Sequence, residues 1–408
     1  MMSFKRLLKK NYLMIIKKFF FKFFQGFKFF IELVFFFPFL INFIYFNRKK
    51  KINIILIRSS SLGHLLTESL CYLVLKKNNE NNFFFHEDKI SNYFLMGLLK
   101  KNIKINQKLK YLYFICNLFT IAKIKCYNLH DYAEKKFSID LNRDYQKIFF
   151  NQKKFKIKFT AQEKNKAKIF LKKYKIDLRS KFVIIATRDQ NFKRHVHGNN
   201  FVHHESRNYD PKNLKLIIKD LINKNFKVIR IAQFSDPIHI TKSKNFIDIN
   251  FLNKEMDFLY FLLIQKAFFF IGVPSGPLHI AQFFRKNIFC INALPYKVIF
   301  DLYKMMIVPK KMVINNKLLN IKEIFNKNLE NYLGFENTKK FHNIKYIENN
   351  PMDLLNAYSE FEKIISNPNH YKKLKKINYK FLKKSLNEQL FLMFKKTNNV
   401  LPASFFKG

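Results

Sequence analysis

Cysteine, glycine, tryptophan and acid are all scarce in this 408-residue chain. It has 4 Cys, 8 Gly, no Trp, and 28 Asp and Glu against 76 Lys and Arg. So few cysteines exclude a disulfide-dense secreted scaffold. Cys71, Cys116, Cys126 and Cys290 show no C-x-x-C spacing and read as reduced, mostly buried thiols of a cytosolic protein. The shortage of acid leaves a formal net charge of +48. That charge predicts attraction to anions such as phospholipid, nucleic acid or nucleotide. Part of it follows a general surplus of Lys, Asn, Ile and Phe, of the kind A+T-rich codon usage produces. No D-x-D element stands ready for a divalent ion, and no RNP, KH or helix-turn-helix pattern or internal repeat is present. What the chain has in quantity is apolar: 48% hydrophobic residues, 52 of them Phe. This excludes a wholly disordered protein, and the length suggests two or three domains.

Residues 29–46, FFIELVFFFPFLINFIYF, are nearly all apolar, with a single acid at Glu32. Eighteen such residues reach the lower limit for crossing a bilayer. Basic residues flank both ends, Lys5 to Lys28 before and Arg48 to Lys51 after, so no orientation is specified. The pattern suits a segment lying in the interface of an anionic leaflet, with a spanning helix kinked at Pro38 or a buried helix as alternatives. No small-residue cleavage site follows it.

Residues 52–58, INIILIR, read as a buried parallel strand, followed by the loop SSSLG, a helix over 64–77 and a strand at 83–85. The stretch 86–160 shows only mixed helix and loop. A charged helix at 161–178 leads to a second β/α series. Strands are predicted at 181–187, 226–232, 246–249, 267–272 and 288–292, with helices from Pro211, over 254–266 and from Pro277. Residues 353–364 and 370–395 read as lysine-rich helices. The alternation predicts an α/β protein of two doubly wound Rossmann-type domains facing a cleft. The expected divisions are 1–51, a membrane-associating segment; 52–178 and 179–345, the two domains; and 346–408, a helical basic tail.

The segment FFFIGVPSGPLHIAQFF carries the most chemistry. Gly272 ends a strand, Ser275-Gly276 turns the chain, and Pro277 starts a helix. A helix start at the carboxyl edge of a parallel sheet offers free N–H groups to an anion. His279 in the first turn reaches the same ligand or packs under the turn. Arg188 follows a strand at the same edge, and its planar fork matches a phosphate, or else it pairs with Asp189. Asp189 is a candidate general base. Arg207 and Asn208 bind a ligand or cap the Pro211 helix. Gly63 and His64 lie in the first loop after the first strand, where His64 meets a ligand or merely begins a helix. His195, His197, His203 and His204 have no tight metal spacing and read as a solvated loop.

In order, LIRSSSLGHLLTE at 56–68, ATRDQNF at 186–192, SRNYDPKNL at 206–214, VIRIA at 228–232 and FFIGVPSG at 269–276 resemble a family of bacterial glycosyltransferases of surface-polysaccharide clusters. The last element, extended to GVPSGPLHIAQFF, also resembles the S-G-P-x-H-x-A segment of heptosyltransferase-like GT-B enzymes. Two departures stand out: Ala186 replaces the family's usual His before x-R-D, and Ser61-Leu62 replaces Arg-Ile before Gly63-His64. The resemblance implies a GT-B-like fold and a nucleotide-diphosphate sugar donor. Arg188, Arg207, Asn208, Gly272, Ser275, Gly276 and His279 would bind that donor, and Gly63 and His64 would face the acceptor or the cleft. It further implies a glycan or lipid-linked acceptor and transfer without metal or cofactor at the cytoplasmic face of the inner membrane. The competing readings are a basic nucleic-acid-binding protein and a non-catalytic membrane scaffold.

Overall fold

A run without a polar face must be covered on both sides, and INIILI does form a central strand in the computed structural model: β1 (Ile52–Ile57). The structure describes residues 2–76, 81–119, 121, 123–138, 148, 156–189, 191, 194–195, 198, 205–251, 256–301, 303–331 and 344–406; the side chains of 2–22, 25 and 251 lie outside the description. The chain divides into two compact units. One comprises residues 1–57, 77–86 and 103–128, and the other the remainder. This division interleaves segments that the sequence reading kept in separate blocks.

In the first unit β1 pairs in parallel with β2 (Asn82–His86) on one side and β3 (Ile124–Asn128) on the other. β3 lies in the stretch read as helix and loop. IKCYN is half-polar and only partly buried, so it lacked the apolar run that marks an inner strand. The amino-terminal helix α1 (Met2–Asn47) continues through Pro38. Phe29, Phe36 and Leu40 of α1 pack with Tyr111 and Leu112 of a later helix (Leu109–Leu118), over Ile54 and Phe85 of the sheet. Glu32, the one acid in the apolar stretch, accepts hydrogen bonds from the Tyr111 hydroxyl and from Lys110 Nζ.

The second unit contains α2 (Leu62–Leu75), α3 (Tyr93–Lys100), α5 (Leu129–Phe137) and α6 (Ala161–Lys173), with α4 naming the Leu109–Leu118 helix of the first unit. Its sheet has six parallel strands in the order β6-β5-β4-β7-β8-β9. They are β4 (Phe182–Ala186), β5 (Lys227–Gln233), β6 (Phe246–Phe251), β7 (Phe270–Gly272), β8 (Ile288–Ala293) and β9 (Met305–Pro309). Every residue of β4 and β8 is buried, as a doubly covered sheet requires. On one face Val183, Ile185, Phe289 and Ile291 pack with α7 (Lys215–Asn223) and with Tyr358 and Phe361 of α11 (Pro351–Ser366). The alternate residues Phe182, Ile184, Phe270 and Ile288 are equally buried. They leave the other face to α8 (Phe258–Lys266) and α9 (Gly276–Phe283).

Two features of the carboxyl-terminal part differ from expectation. A small antiparallel sheet, β10 (Lys311–Ile314), β11 (Lys317–Leu318) and β12 (Ile344–Ile347), was not read from the pattern. Its strands have two to four residues, too few to show a period. The segment 346–408, set apart as a basic tail, is built into the second unit. Val400 bridges to Met306 at the sheet edge. Lys375 of α12 (Pro368–Ser385) is buried, donates to the Asn399 carbonyl at 2.7 Å and lies over the Phe394 ring.

Candidate functional site

Three strand ends and two helix starts meet at one cavity within the second unit. β4 continues past Ala186 through Thr187, Arg188 and Asp189; β5 runs on to Ser235; β7 turns through Ser275 into α9. The strands are parallel, so their carboxyl ends share one edge, and β4 lies between β5 and β7. This is the point where successive connections leave the sheet in opposite directions, the usual ligand position in open α/β sheets. Arg188 and Asp189 line the cavity with Gln233, Ser235 and Tyr260, facing Ser61–Gly63 and Ser275–Pro277.

Ser61 and Ser275 occupy the N-cap positions of α2 and α9, yet neither side chain bonds its helix's first amides. Ser275 Oγ turns back to the Val273 carbonyl instead. In α9 Pro277 has no N–H and the Leu278 amide donates to the Ser275 carbonyl at 3.1 Å, so Gly276 carries the amide left at that start. The positive dipole ends of α2 and α9 both adjoin the cavity. Glycines make the approach possible. A Cβ on Gly276 would stand 2.8 Å from Leu62 Cβ, and one on Gly63 would stand 3.2 Å from His279 Cδ2. Gly276→Ala is accordingly expected to push the two helix starts apart and to destabilise the fold by roughly 1–3 kcal/mol of overpacking. Leu62→Gly in the same chain should relieve that overpacking, as thermal unfolding of the single and double variants can show. Equal loss in the double variant would remove the helix approach from the explanation. Gly272, expected at the ligand, does not line the cavity. A Cβ there would lie 2.6 Å from the Ala186 carbonyl oxygen and 2.7 Å from the Phe270 ring, so its smallness serves packing of β7 on β4.

Arg188 is the main cation of the cavity. Its Nε and Nη2 are shut off from water and have no hydrogen-bond partner among the described residues. Burial pushes its pKa down to about 10, against the pull of Asp189, so it remains charged at neutral pH. The alternative pairing with Asp189 is not made. Asp189 Oδ1 accepts from the Asn191 amide at 2.9 Å, and Oδ2 accepts from the Ser235 hydroxyl. Ser235 in turn accepts from Arg230 Nη2 at 2.7 Å, and Arg230 Nη1 pairs with Asp248 at 2.8 Å. Arg230 and Asp248 face each other across neighbouring strands. Arg230 and Ser235 had no assigned role in the sequence reading. The signal was there in VIRIA, where an arginine interrupts an apolar strand and so needs a buried partner.

Arg207 does not line the cavity. Its Nη2 donates to the Pro274 carbonyl, which straps the turn before Ser275, while its Nε has no partner. Burial first, and the charge of Arg188 second, push its pKa down to about 9. Asn208 is held by its carbonyl, which accepts from buried Lys310 at 3.2 Å; its side-chain Oδ1 has no partner. The cap of the turn at Pro211–Leu214 is Asp210, which accepts from the Lys212 amide, so Arg207 and Asn208 are not needed for that task. His279 Nδ1 lies 3.0 Å from Gln282 Oε1, which can only accept, so the ring donates there. Burial, reinforced by His64 and Arg207 and partly offset by Gln282, pushes its pKa down to about 4 and keeps it neutral.

His64 is exposed, with Nδ1 3.0 Å from Glu68 Oε1. The same buried oxygen accepts from Arg58, and His130 Nδ1 lies 3.7 Å away. Glu68 thus orients His64, a role the sequence signalled only as an acid inside an apolar helix. His195 stacks on Phe234 at 3.7 Å between ring centroids. His197, His203 and His204 lie outside the described residues. No group of three His, Cys, Asp or Glu able to hold a metal occurs among the described residues.

Comparison with solved structures finds 13 matching chains. A glycosyl transferase of family 9 from Veillonella parvula is similar over 76% of this chain and 97% of its own, at 10% identity and a TM-score of 0.46. ADP-heptose LPS heptosyltransferase II of E. coli is similar over 59% and 84%, at 9% identity and a TM-score of 0.37. The dodecameric iron-containing heptosyltransferase TibC, in complex with ADP-D-β-D-heptose, is similar over 60% of each chain, at 13% identity and a TM-score of 0.35. No protein-family model matches the sequence, and no curated protein matches it.

Proposed function

We propose that this chain is a glycosyltransferase that takes its sugar from a nucleoside-diphosphate donor. One observation carries the reading: a charged guanidinium with two unpartnered, desolvated N–H groups lines the same cavity as the free amino ends of two helices. Buried N–H groups left unpaired cost free energy that an anionic ligand recovers. Two helix starts and a planar fork supply more donors than one phosphate uses, and so suit a diphosphate. The order of motifs from residue 56 to 276, with its resemblance to surface-polysaccharide glycosyltransferases, supports the reaction class.

In this reading the acceptor hydroxyl attacks the anomeric carbon of the donor sugar. The bond from that carbon to the diphosphate oxygen breaks, and the acceptor proton passes to Asp189. Arg188 and the amides at Ser275–Gly276 stabilise the charge that gathers on the departing diphosphate, commonly the largest contribution to rate. Arg207 adds positive potential while holding the turn, and neutral His279 packs beneath it. Ser235 and the Asn191 amide fix the orientation of the Asp189 carboxylate, the proposed proton acceptor. The acceptor is a glycan or a lipid-linked saccharide of surface-polysaccharide synthesis.

The test is a thermal-shift and titration series of the full chain with ADP, UDP, GDP and CDP. At least one is expected to raise the unfolding midpoint by several degrees and to bind in the micromolar range. Retention on single-stranded DNA with a steep salt dependence, without response to any nucleoside diphosphate, would overturn the proposal in favour of nucleic-acid binding.

A further inference from the structure

Among the described residues the exposed large apolar side chains gather on α1, and its geometry says how that surface is used. Eleven large apolar side chains between Phe23 and Phe46 are 51–77% exposed, including Phe27, Phe30, Val34, Phe35, Ile41 and Phe46. At 100° per residue these occupy one half of the helix surface, about 180° wide. Phe29, Glu32, Leu33, Phe36, Leu40 and Phe43 occupy the other half. That inner half is committed to the first unit. Phe36 stacks on Tyr111, with ring centroids 5.4 Å apart, Phe43 meets Phe83 edge-on at 4.9 Å, and Glu32 is bonded to Lys110 and Tyr111. Phe114, Leu118 and Phe119 of α4 and its following turn extend the exposed apolar surface, and Phe114 touches Phe29.

We infer that α1 attaches the protein in the plane of an anionic bilayer, its outer half sunk into the boundary between headgroups and acyl chains, and that it does not cross the membrane. A crossing helix must present apolar side chains all round. This one would have to strip its inner half from the sheet of its own unit and carry Glu32 into hydrocarbon, away from Lys110 and Tyr111. The apolar strip between Gly26 and Asn47 is 22 residues long, about 33 Å, and lies on the surface along that length. Charge identifies the leaflet. Lys28 is exposed at the rim of the strip, Arg48 stacks on Tyr45 at 4.0 Å, and exposed Lys49, Lys50 and Lys51 follow at its end. Such residues keep their charges at headgroup level while their stems cover apolar surface. The attachment is independent of what the cavity binds.

The absence of tryptophan makes the test direct. Full-length protein is mixed with vesicles of phosphatidylcholine, with or without one-third phosphatidylglycerol, and floated on a density gradient. It is expected to float with the anionic vesicles and several-fold less with neutral ones. The triple variant Phe30→Glu/Val34→Glu/Ile41→Glu should cut the bound fraction at least tenfold while its unfolding midpoint in detergent stays within a few degrees of wild type. Single reporters Phe27→Trp, Phe35→Trp and Phe46→Trp then measure depth by quenching with brominated lipid. Equal, shallow depths support the in-plane helix. A deep Phe35→Trp between two shallow ends would mean a spanning helix and overturn the inference. So would failure to float, or a lipid-free dimer whose formation the triple variant abolishes.

Discussion

Arg188→Ala is expected to lose about a hundredfold in nucleoside-diphosphate affinity, close to 2.7 kcal/mol, while the unliganded protein becomes no less stable. The two effects have opposite signs because of what the guanidinium faces. Nε and Nη2 have no partner among the described residues, so removing them from the unliganded protein relieves a desolvation cost. With a diphosphate bound they would make charge-assisted hydrogen bonds, so removing them forfeits that gain. Arg188→Lys keeps the charge but loses the planar fork and should fall between, about tenfold weaker than wild type. Titration calorimetry with thermal unfolding of the free protein measures both quantities. A structural arginine paired with Asp189 would behave the other way, losing stability and leaving binding alone. Lower stability of Arg188→Ala with unchanged ligand affinity would therefore remove the pocket from the proposed reaction.

Gly272→Ala is expected to damage the fold rather than the site. The new methyl group would meet the Ala186 carbonyl oxygen at 2.6 Å and the Phe270 ring at 2.7 Å. The first obstacle is backbone in a paired neighbouring strand, which cannot swing aside as a side-chain tip does. Overpacking of this kind costs about 3 kcal/mol, which for a chain of this size lowers the unfolding midpoint by roughly 3–5 °C. Gly97→Ala is the matched control. It lies inside α3 with nothing within 4 Å of its added carbon, so helix propensity should make it neutral or slightly stabilising. If the folded fraction of Gly272→Ala binds nucleoside diphosphate normally, the glycine belongs to the sheet. Normal stability with lost binding would return it to the ligand.

Strands in this chain were legible where the apolar run is nearly unbroken. INIILI, FVIIA and IFCINA have no polar residue to face water except the asparagines, and each forms an inner strand as read. The strand IKCYN and the short antiparallel ladder after Pro309 were not legible, because partial burial and lengths of a few residues leave no period to count. The turn at residues 272–277 was read correctly as strand, turn and helix start, since Gly and Pro act through local backbone geometry. The turn alone did not show which partners require its glycines, and it misplaced Gly272 at the ligand. Gly276 and Gly63 owe their smallness to partners more than 200 positions away in sequence, and Gly272 to a carbonyl on another strand.

Local chemistry, then, specified the elements: apolar runs made inner strands, proline and serine set helix starts, and the lopsided count of Lys over Asp and Glu set the net charge of +48. Which of those elements converge was decided only by the folded chain. The parallel order β5-β4-β7 brings Arg188, Asp189, Ser235 and the α9 start to one edge, and the close approach permitted by Gly63 and Gly276 adds the start of α2. The reason is that strand order and helix contact depend on pairings between residues distant in sequence. No single segment records them, and the same pairings leave Nε and Nη2 of Arg188 buried without a partner among the described residues.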